Sequence, residues 1–262
     1  MKRYIKLYLQ FIKNAFIKES MFRVNFISHT IAELINVTIG VLGLHIIFGQ
    51  ITSLGGWDYQ EILLLYGTAN IIRGLYFGPF IKNMHGVVQH VRKGTLDFSL
   101  LFPVSSQFYV STREIRLFTV TPLVSGLFII IYSLGNLNLS PSIPIIFTYA
   151  SFIFCSVILC YALWFISVTP AIWFPQLREI HEVFISLYGF SRYPPEIFSR
   201  SAMLFFTLII PLLILAAVPT KVLLNKAGLF ETFWLPTAAL ILLYLSNRFW
   251  HFALRHYNSA SS

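Results

Sequence analysis

The sequence predicts an all-α integral membrane protein. It would have six transmembrane helices, an N-terminal interfacial amphipathic helix, a short cytoplasmic helix after the second span and a re-entrant hairpin before the sixth. Three observations carry this expectation. Of 262 residues, 11% are charged and 56% hydrophobic, with a mean hydropathy of +0.73, whereas soluble chains average about 25% charged residues and soluble surfaces ~25–35%. Apolar runs approach ~20 residues, the length that crosses a hydrocarbon core. Lys and Arg gather at alternate connections between those runs, the bias that marks the cytoplasmic side. A soluble enzyme, a disordered tail and a coiled coil are excluded.

Residues 1–24 do not form a span, because Lys2, Arg3, Lys6, Lys13, Lys18 and Arg23 interrupt them. They also lack the continuous apolar core of a signal peptide. Ile5, Leu9, Ile12 and Phe16 recur at helical spacing with Lys6, Gln10 and Lys13 to the side, which predicts an amphipathic helix in the headgroup layer. The first span is expected at Phe26–Phe48 and the second at Ile62–Phe80. A polar, basic stretch from Lys82 to Arg116 follows, then a third span at Leu117–Leu134. The charge-free turn Gly135–Pro144 leads to a fourth at Ile145–Ile166, continuing toward Phe174.

Orientation follows from the connections. The N-terminal segment, the 82–116 loop and the tail with Arg248 and Arg255 are basic, while 52–60 and 135–144 hold no Lys or Arg. Both termini are therefore expected in the cytoplasm, which requires an even number of crossings. After the Arg178–Glu182 cluster the chain must leave once and return once, and the return is Phe233–Phe249. Two apolar segments precede it, Val183–Tyr193 and Ala202–Val218. One is expected to cross and the other to dip in and come back, since Pro194, Pro195, Pro211 and Pro219 suit a broken segment. Such a segment survives in a membrane where protein or water covers its freed backbone groups.

Recognisable chemistry is sparse. There is no phosphate-binding loop, dinucleotide fingerprint, zinc-protease signature or nucleophile elbow. His85 and His90 flank Gly86 without a carboxylate or cysteine to complete a ligand set, and Cys155 and Cys160 point in different directions on one helix. The net charge of +9 is scattered rather than gathered into a nucleic-acid arm. The charges with the largest expected cost are intramembrane ones. Glu33 sits seven residues into the first span and Arg73 seven residues before the end of the second, each roughly 10 Å deep. They are expected to pair, with His29 on the same face and Asn36 on the next turn.

Short stretches then resemble a known family. Gly94-Thr95-Leu96-Asp97-Phe98-Ser99-Leu100-Leu101-Phe102-Pro103-Val104 resembles the "G-x-L-D … L-L-x-P-V" loop of one bacterial branch of the type-2 ABC exporters. Phe190-Ser191-Arg192-Tyr193-Pro194, followed by Pro211 and Pro219, resembles that branch's "R-Y-P … P … P" hairpin. The resemblance covers nearly the whole chain. It departs in the doubled Pro195 and in a Ser-rich terminus.

The resemblance implies a single permease domain, residues 1–262, in the bacterial plasma (inner) membrane. That permease would work in export, paired with a second copy or a sister permease and with separate ATP-binding subunits. ATP and Mg would reside in those partners, no cofactor in this chain; membrane lipid, not nucleic acid, would surround it. The loop 82–116 would carry the cytoplasmic coupling helix. Val87 and Val91 would offer its apolar face and Arg92 its charged rim. Gly94 would end that helix, Leu96 would join the contact, and Asp97 would cap the next short helix. Arg192, Tyr193, Pro194, Pro211 and Pro219 would build the re-entrant hairpin within 183–222, with Pro194 and Pro211 at the outer side.

Two other classes make different demands on the sequence. A stand-alone channel or secondary carrier would place ion-pathway carboxylates in several spans, and almost none are present. A membrane-embedded enzyme would gather polar catalytic groups at one depth. For the substrate, aromatic-rich spans fit a lipid-like cargo and an ordinary lipid-facing surface equally well.

Overall fold

The computed structural model describes residues 2–174 and 180–257, so Arg178 and Glu179 of the Arg178–Glu182 cluster and the Ser-rich end lie outside the described residues. The described residues form helices and no strand ladder; one antiparallel bridge between Leu54 and Trp57 closes the 52–60 turn. Helix α1 is Lys2–Met21 and α2 is Arg23–Phe48. The apolar stripe of α1 is largely exposed at Ile5, Leu9 and Phe16. A second edge packs on other parts of the chain: the Tyr4 ring lies 5.0 Å from Phe108 and the Phe11 ring 6.2 Å from Tyr109.

Helix α3 runs unbroken from Tyr59 to Arg92. Asp58 caps it, and its N–H donates to Glu61 Oε2 at 3.2 Å, so two orphan donors of the first turn find partners. It ends at Gly94, whose φ of +67° permits the closing bonds Gly94 N→Val91 O and Thr95 N→His90 O. Val87, Val91 and Arg92, expected on a separate coupling helix, lie inside α3. The sequence boundary at Phe80 and that separate helix are therefore corrected to one continuous rod. Its polar extension is held by Asn83, which exchanges bonds of 2.7 and 3.0 Å with the Glu114 backbone.

The short helices α4 (Leu96–Leu100) and α5 (Ser106–Thr112) lead to α6 (Val120–Asn136). Helix α6 ends where Asn138 adopts φ +54°, a left-handed position that Asn tolerates. Helix α7 (Ile143–Val168) continues into a tight turn at Thr169–Ile172. It packs parallel to α3: Thr68 Oγ1 and Tyr149 OH are 3.0 Å apart, the Tyr76 and Trp164 rings 5.0 Å, and the Phe80 and Tyr161 rings 4.9 Å. The most extensive contact is between α3 and the antiparallel α6. There a Cβ added to Gly126 would meet Gly67 O at 2.7 Å, and one added to Gly74 would meet Leu123 Cγ at 2.5 Å. Small residues let the two backbones touch.

Helix α8 (Ile180–Tyr188) and the turns after it climb back along α3. Phe184 stacks on Trp164 at 5.3 Å, Tyr188 OH donates to Ala69 O at 2.9 Å, and Trp57 Nε1 donates to Glu196 Oε2 at 3.0 Å. Helix α9 (Arg200–Leu204) widens into a π turn over Phe205–Ile209, and after a 93° bend α10 (Ile214–Leu223) begins. Helix α11 (Leu229–Arg255) closes the fold against α7, with the Trp250 ring 5.1 Å from Phe165.

Helices α2, α7 with its terminal turn, and α11 are each long and apolar enough to cross a membrane, and the bent α9–α10 pair would supply a fourth such unit. Helix α6, at 17 residues, is shorter, and α3 carries Glu61, Arg73, Lys82 and Arg92.

Candidate functional site

Three groups of residues singled out by the sequence occupy three places. The first is the charge pair expected within the membrane. Arg73 Nη2 donates to Glu33 Oε1 at 2.9 Å, joining α3 to α2, and the two side chains are only 14% and 16% exposed. The guanidinium also lies 5.6 Å above the Phe77 ring, a cation–π contact that gains weight away from water. His29 does not join them. Its ring stacks on Phe118 at 4.7 Å, an aromatic contact with the segment leading to α6. Asn36 is exposed.

The second group is the loop after α3. Val87, Val91 and Leu96 are 0%, 3% and 0% exposed, so the valine face expected to meet a partner is turned into this chain's own core. Arg92 is exposed, and Gly94 is the buried turn that stops α3. The cap of α4 is Thr95, with Asp97 in its first turn, where a carboxylate complements the positive end of the helix. The apolar groups that do face out are Phe98, Leu101 and Phe102, at 67%, 79% and 48% exposure. His90 is held by Thr95 Oγ1 at 2.7 Å and by Arg113, and His85 meets Gln89 at 2.8 Å.

The third is the broken segment. Arg192 lies 6.0 Å over the Tyr66 ring, Tyr193 is 41% exposed, and Pro194 is buried beside the turn that bears Glu196. Lys221 bridges Glu196 at 2.8 Å and Glu231 at 2.6 Å, and Lys226 reaches Glu61 at 2.5 Å. Both ends of the segment therefore lie at the Asp58 end of α3. Pro211 does not; it is buried at the elbow, close to Leu215, whose carbonyl meets Ser156 midway along α7. Its expected place beside Pro194 is corrected accordingly, because the π turn and the missing proline N–H bend the chain at that depth. Pro219, within α10, cannot bond the Leu215 carbonyl one turn back, and Ser156 Oγ donates to that carbonyl instead at 2.7 Å. A neighbouring hydroxyl thus satisfies a backbone group freed by proline.

Sequence reasoning missed a polar seam near the α5 end of the fold. Asn247 Nδ2 donates to Gln107 Oε1 at 2.7 Å, Ser111 Oγ and Tyr161 OH are 3.2 Å apart, and Trp250 Nε1 donates to Ser106 Oγ at 3.0 Å. These bonds tie α5 to α7 and α11, and no spacing in the sequence announces them. A cavity of about 630 Å³ opens beside this seam, and an apolar groove of about 840 Å³ lies between α2, α3 and α6.

Several helices long and apolar enough to cross a membrane make this a helical membrane protein. The sequence profile of the ABC-2 family transporter proteins matches residues 34–261, and the chain belongs to that family. It is an ABC transporter permease. No curated protein and no solved structure matches it.

Proposed function

We propose that this chain is the transmembrane subunit of an ATP-driven exporter in a bacterial inner membrane. It would form the substrate pathway with a second copy or a sister permease, and draw energy from separate ATP-binding subunits that hold ATP and Mg. Family membership over residues 34–261 is the observation that carries this reading. In this reading the crossings are α2, α3, α6, α7, the α8-to-Ile197 climb and α11. Both termini lie in the cytoplasm and α1 lies in the headgroup layer. The α9–α10 segment is a re-entrant hairpin entered from outside. The spread of Lys and Arg supports the orientation, and the salt bridges of Lys221 and Lys226 at the Asp58 end support the hairpin.

Coupling to the ATP-binding subunit is assigned to α4 and the turn after it. Phe98, Leu101 and Phe102 form an exposed apolar patch on a loop that this reading puts in water, where such patches mark contact sites. The charged rim is Arg92. Co-purification with a tagged ATP-binding subunit tests the partnership directly. The double change Phe98→Asp and Leu101→Asp is expected to leave the chain folded and to lower transport-linked ATP hydrolysis at least tenfold, in line with interface anchors worth ~2 kcal/mol or more. Retained coupling in that variant would remove α4 from the interface.

Cysteine labelling tests the topology. Ser191 is fully buried and would report nothing, whereas Ser199, Asn225 and Lys93 are exposed. Cysteines at 199 and 225 are expected to label from outside intact cells, and one at 93 only after permeabilisation. Labelling of 199 and 225 from opposite sides would make the bent segment a full crossing.

A further inference from the structure

A cavity of about 510 Å³ lies between α1, the start of α2, the Lys82 turn of α3 and the segment 113–116. Its lining is chemically two-sided. Lys18, Lys82, Arg113 and Arg116 face it, against the carboxylates Glu19 and Glu114. Phe11, Ala15 and Phe22 supply an apolar wall on the α1–α2 side. The volume is that of a small-ligand site, a few hundred Å³.

The charges are not balanced within the cavity. Glu114 takes both lysines, meeting Lys82 directly and Lys18 at 3.8 Å. Burial pushes the Glu114 carboxyl up, but the ammonium of Lys82 beside it prevails and holds it below the usual carboxylate range. Lys82 in turn crowds Lys18 and, with Arg116 nearby, lowers its pKa. The Arg116 guanidinium leans on the Phe118 ring at 5.8 Å rather than on a carboxylate. One shared carboxylate thus gathers like charges that repel, and an anion among them would relieve that repulsion.

We infer that this cavity binds the phosphate headgroup of an anionic membrane lipid, with Lys18, Lys82 and Arg116 around the phosphate and the first acyl carbons against Phe11 and Phe22. Free phosphate offers the same charge, yet it has no use for the aromatic wall, so the lipid is the better match. Basic pockets between membrane helices are suited to such headgroups. The inference rests on the proposed placement of α1 in the headgroup layer. A bound lipid would join α1 to the 113–116 segment and so tie the interfacial helix to the start of α6.

Native mass spectrometry of the full-length chain in mild detergent tests this, with phosphatidylglycerol and phosphatidylcholine of identical acyl chains as probes. Phosphatidylglycerol is expected to be retained preferentially. Lys18→Gln and Arg116→Gln are each expected to cut that retention about fivefold, and Arg116→Lys to keep most of it. Lys13→Gln, on the same helix but outside the cavity, is expected to leave it unchanged. Equal retention of the two lipids, or an equal loss in Lys13→Gln and Lys18→Gln, would overturn the site in favour of a diffuse basic surface. Retention of inorganic phosphate with no preference for phosphatidylglycerol would overturn the lipid assignment in favour of free phosphate. These readouts do not depend on which side α1 faces, so a failed topology, seen by the cysteine labels, is distinguishable from a failed lipid site.

Discussion

Arg73→Gln is expected to be the most damaging single change in the chain. It leaves Glu33, 16% exposed between α2 and α3, without the guanidinium that now sits 2.9 Å away. Breaking a buried ion pair from one side costs about 3–5 kcal/mol, and a lone charge in a span costs at least ~2.5–3.5 kcal/mol on insertion scales. Glu33→Gln is expected to cost less, because Arg73 keeps its contact with the Phe77 ring and its long stem can carry the charge toward an interface. The neutral double variant, Glu33→Gln with Arg73→Gln, is expected to recover most of the loss, and the swap Glu33→Arg with Arg73→Glu a part of it. Detergent-induced unfolding of the purified chain measures all four. A neutral double as unstable as the sum of its singles would show that the two residues do not act as a pair.

The second large effect is steric. Gly126→Val would drive a branched side chain into the space where a Cβ already comes within 2.7 Å of Gly67 O and 3.1 Å of Ile71 N. Overpacking ordinarily costs about 1–3 kcal/mol. The upper part of that range or beyond is expected here, because the obstacle is backbone that cannot change rotamer. Gly135→Ala on the same helix meets nothing within 4 Å and is expected to stay within about 0.5 kcal/mol of the parent. Thermal midpoints for the two variants decide the matter; similar midpoints would mean that α3 and α6 do not need their close approach.

The long apolar helices were legible in the sequence because hydrophobic length is a local property. The expected span Phe26–Phe48 lies within α2 at Arg23–Phe48, and Phe233–Phe249 within α11 at Leu229–Arg255. Equal depth counted from two span ends placed Glu33 opposite Arg73, and the structure has them in contact. Features set by distant partners were not legible. The polar reach of α3 beyond Phe80 depends on Asn83 meeting Glu114. The inward turn of Val87 and Val91 depends on what else the chain brings to that face, and helical spacing alone leaves a face's direction open. The depth of Pro211 is fixed by the elbow, and the Pro219 break is made tolerable by Ser156 on another helix. One signal was present and unread. Gly67 and Gly74 stand seven residues apart, on one face of a helix, and small residues so spaced mark a close crossing.

The unbroken length of α3 also has a mechanical meaning. Its backbone-to-backbone contact with α6 at Gly67 and Gly74 is the natural fulcrum of a stiff rod. The arm from Gly74 to Arg92 measures ~27 Å and the arm from Gly67 to Tyr59 ~12 Å at 1.5 Å per residue. Tilting about that point shrinks a displacement at the Arg92 end to about half at the Asp58 end and raises the force there about twofold. Pro79 lies in the longer arm, where a missing ladder bond makes it the first place to yield under lateral load. On the proposed coupling through α4, leverage of this ratio would turn a broad swing there into a short, forceful stroke against the Trp57–Glu196 contact and the salt bridges around Lys221.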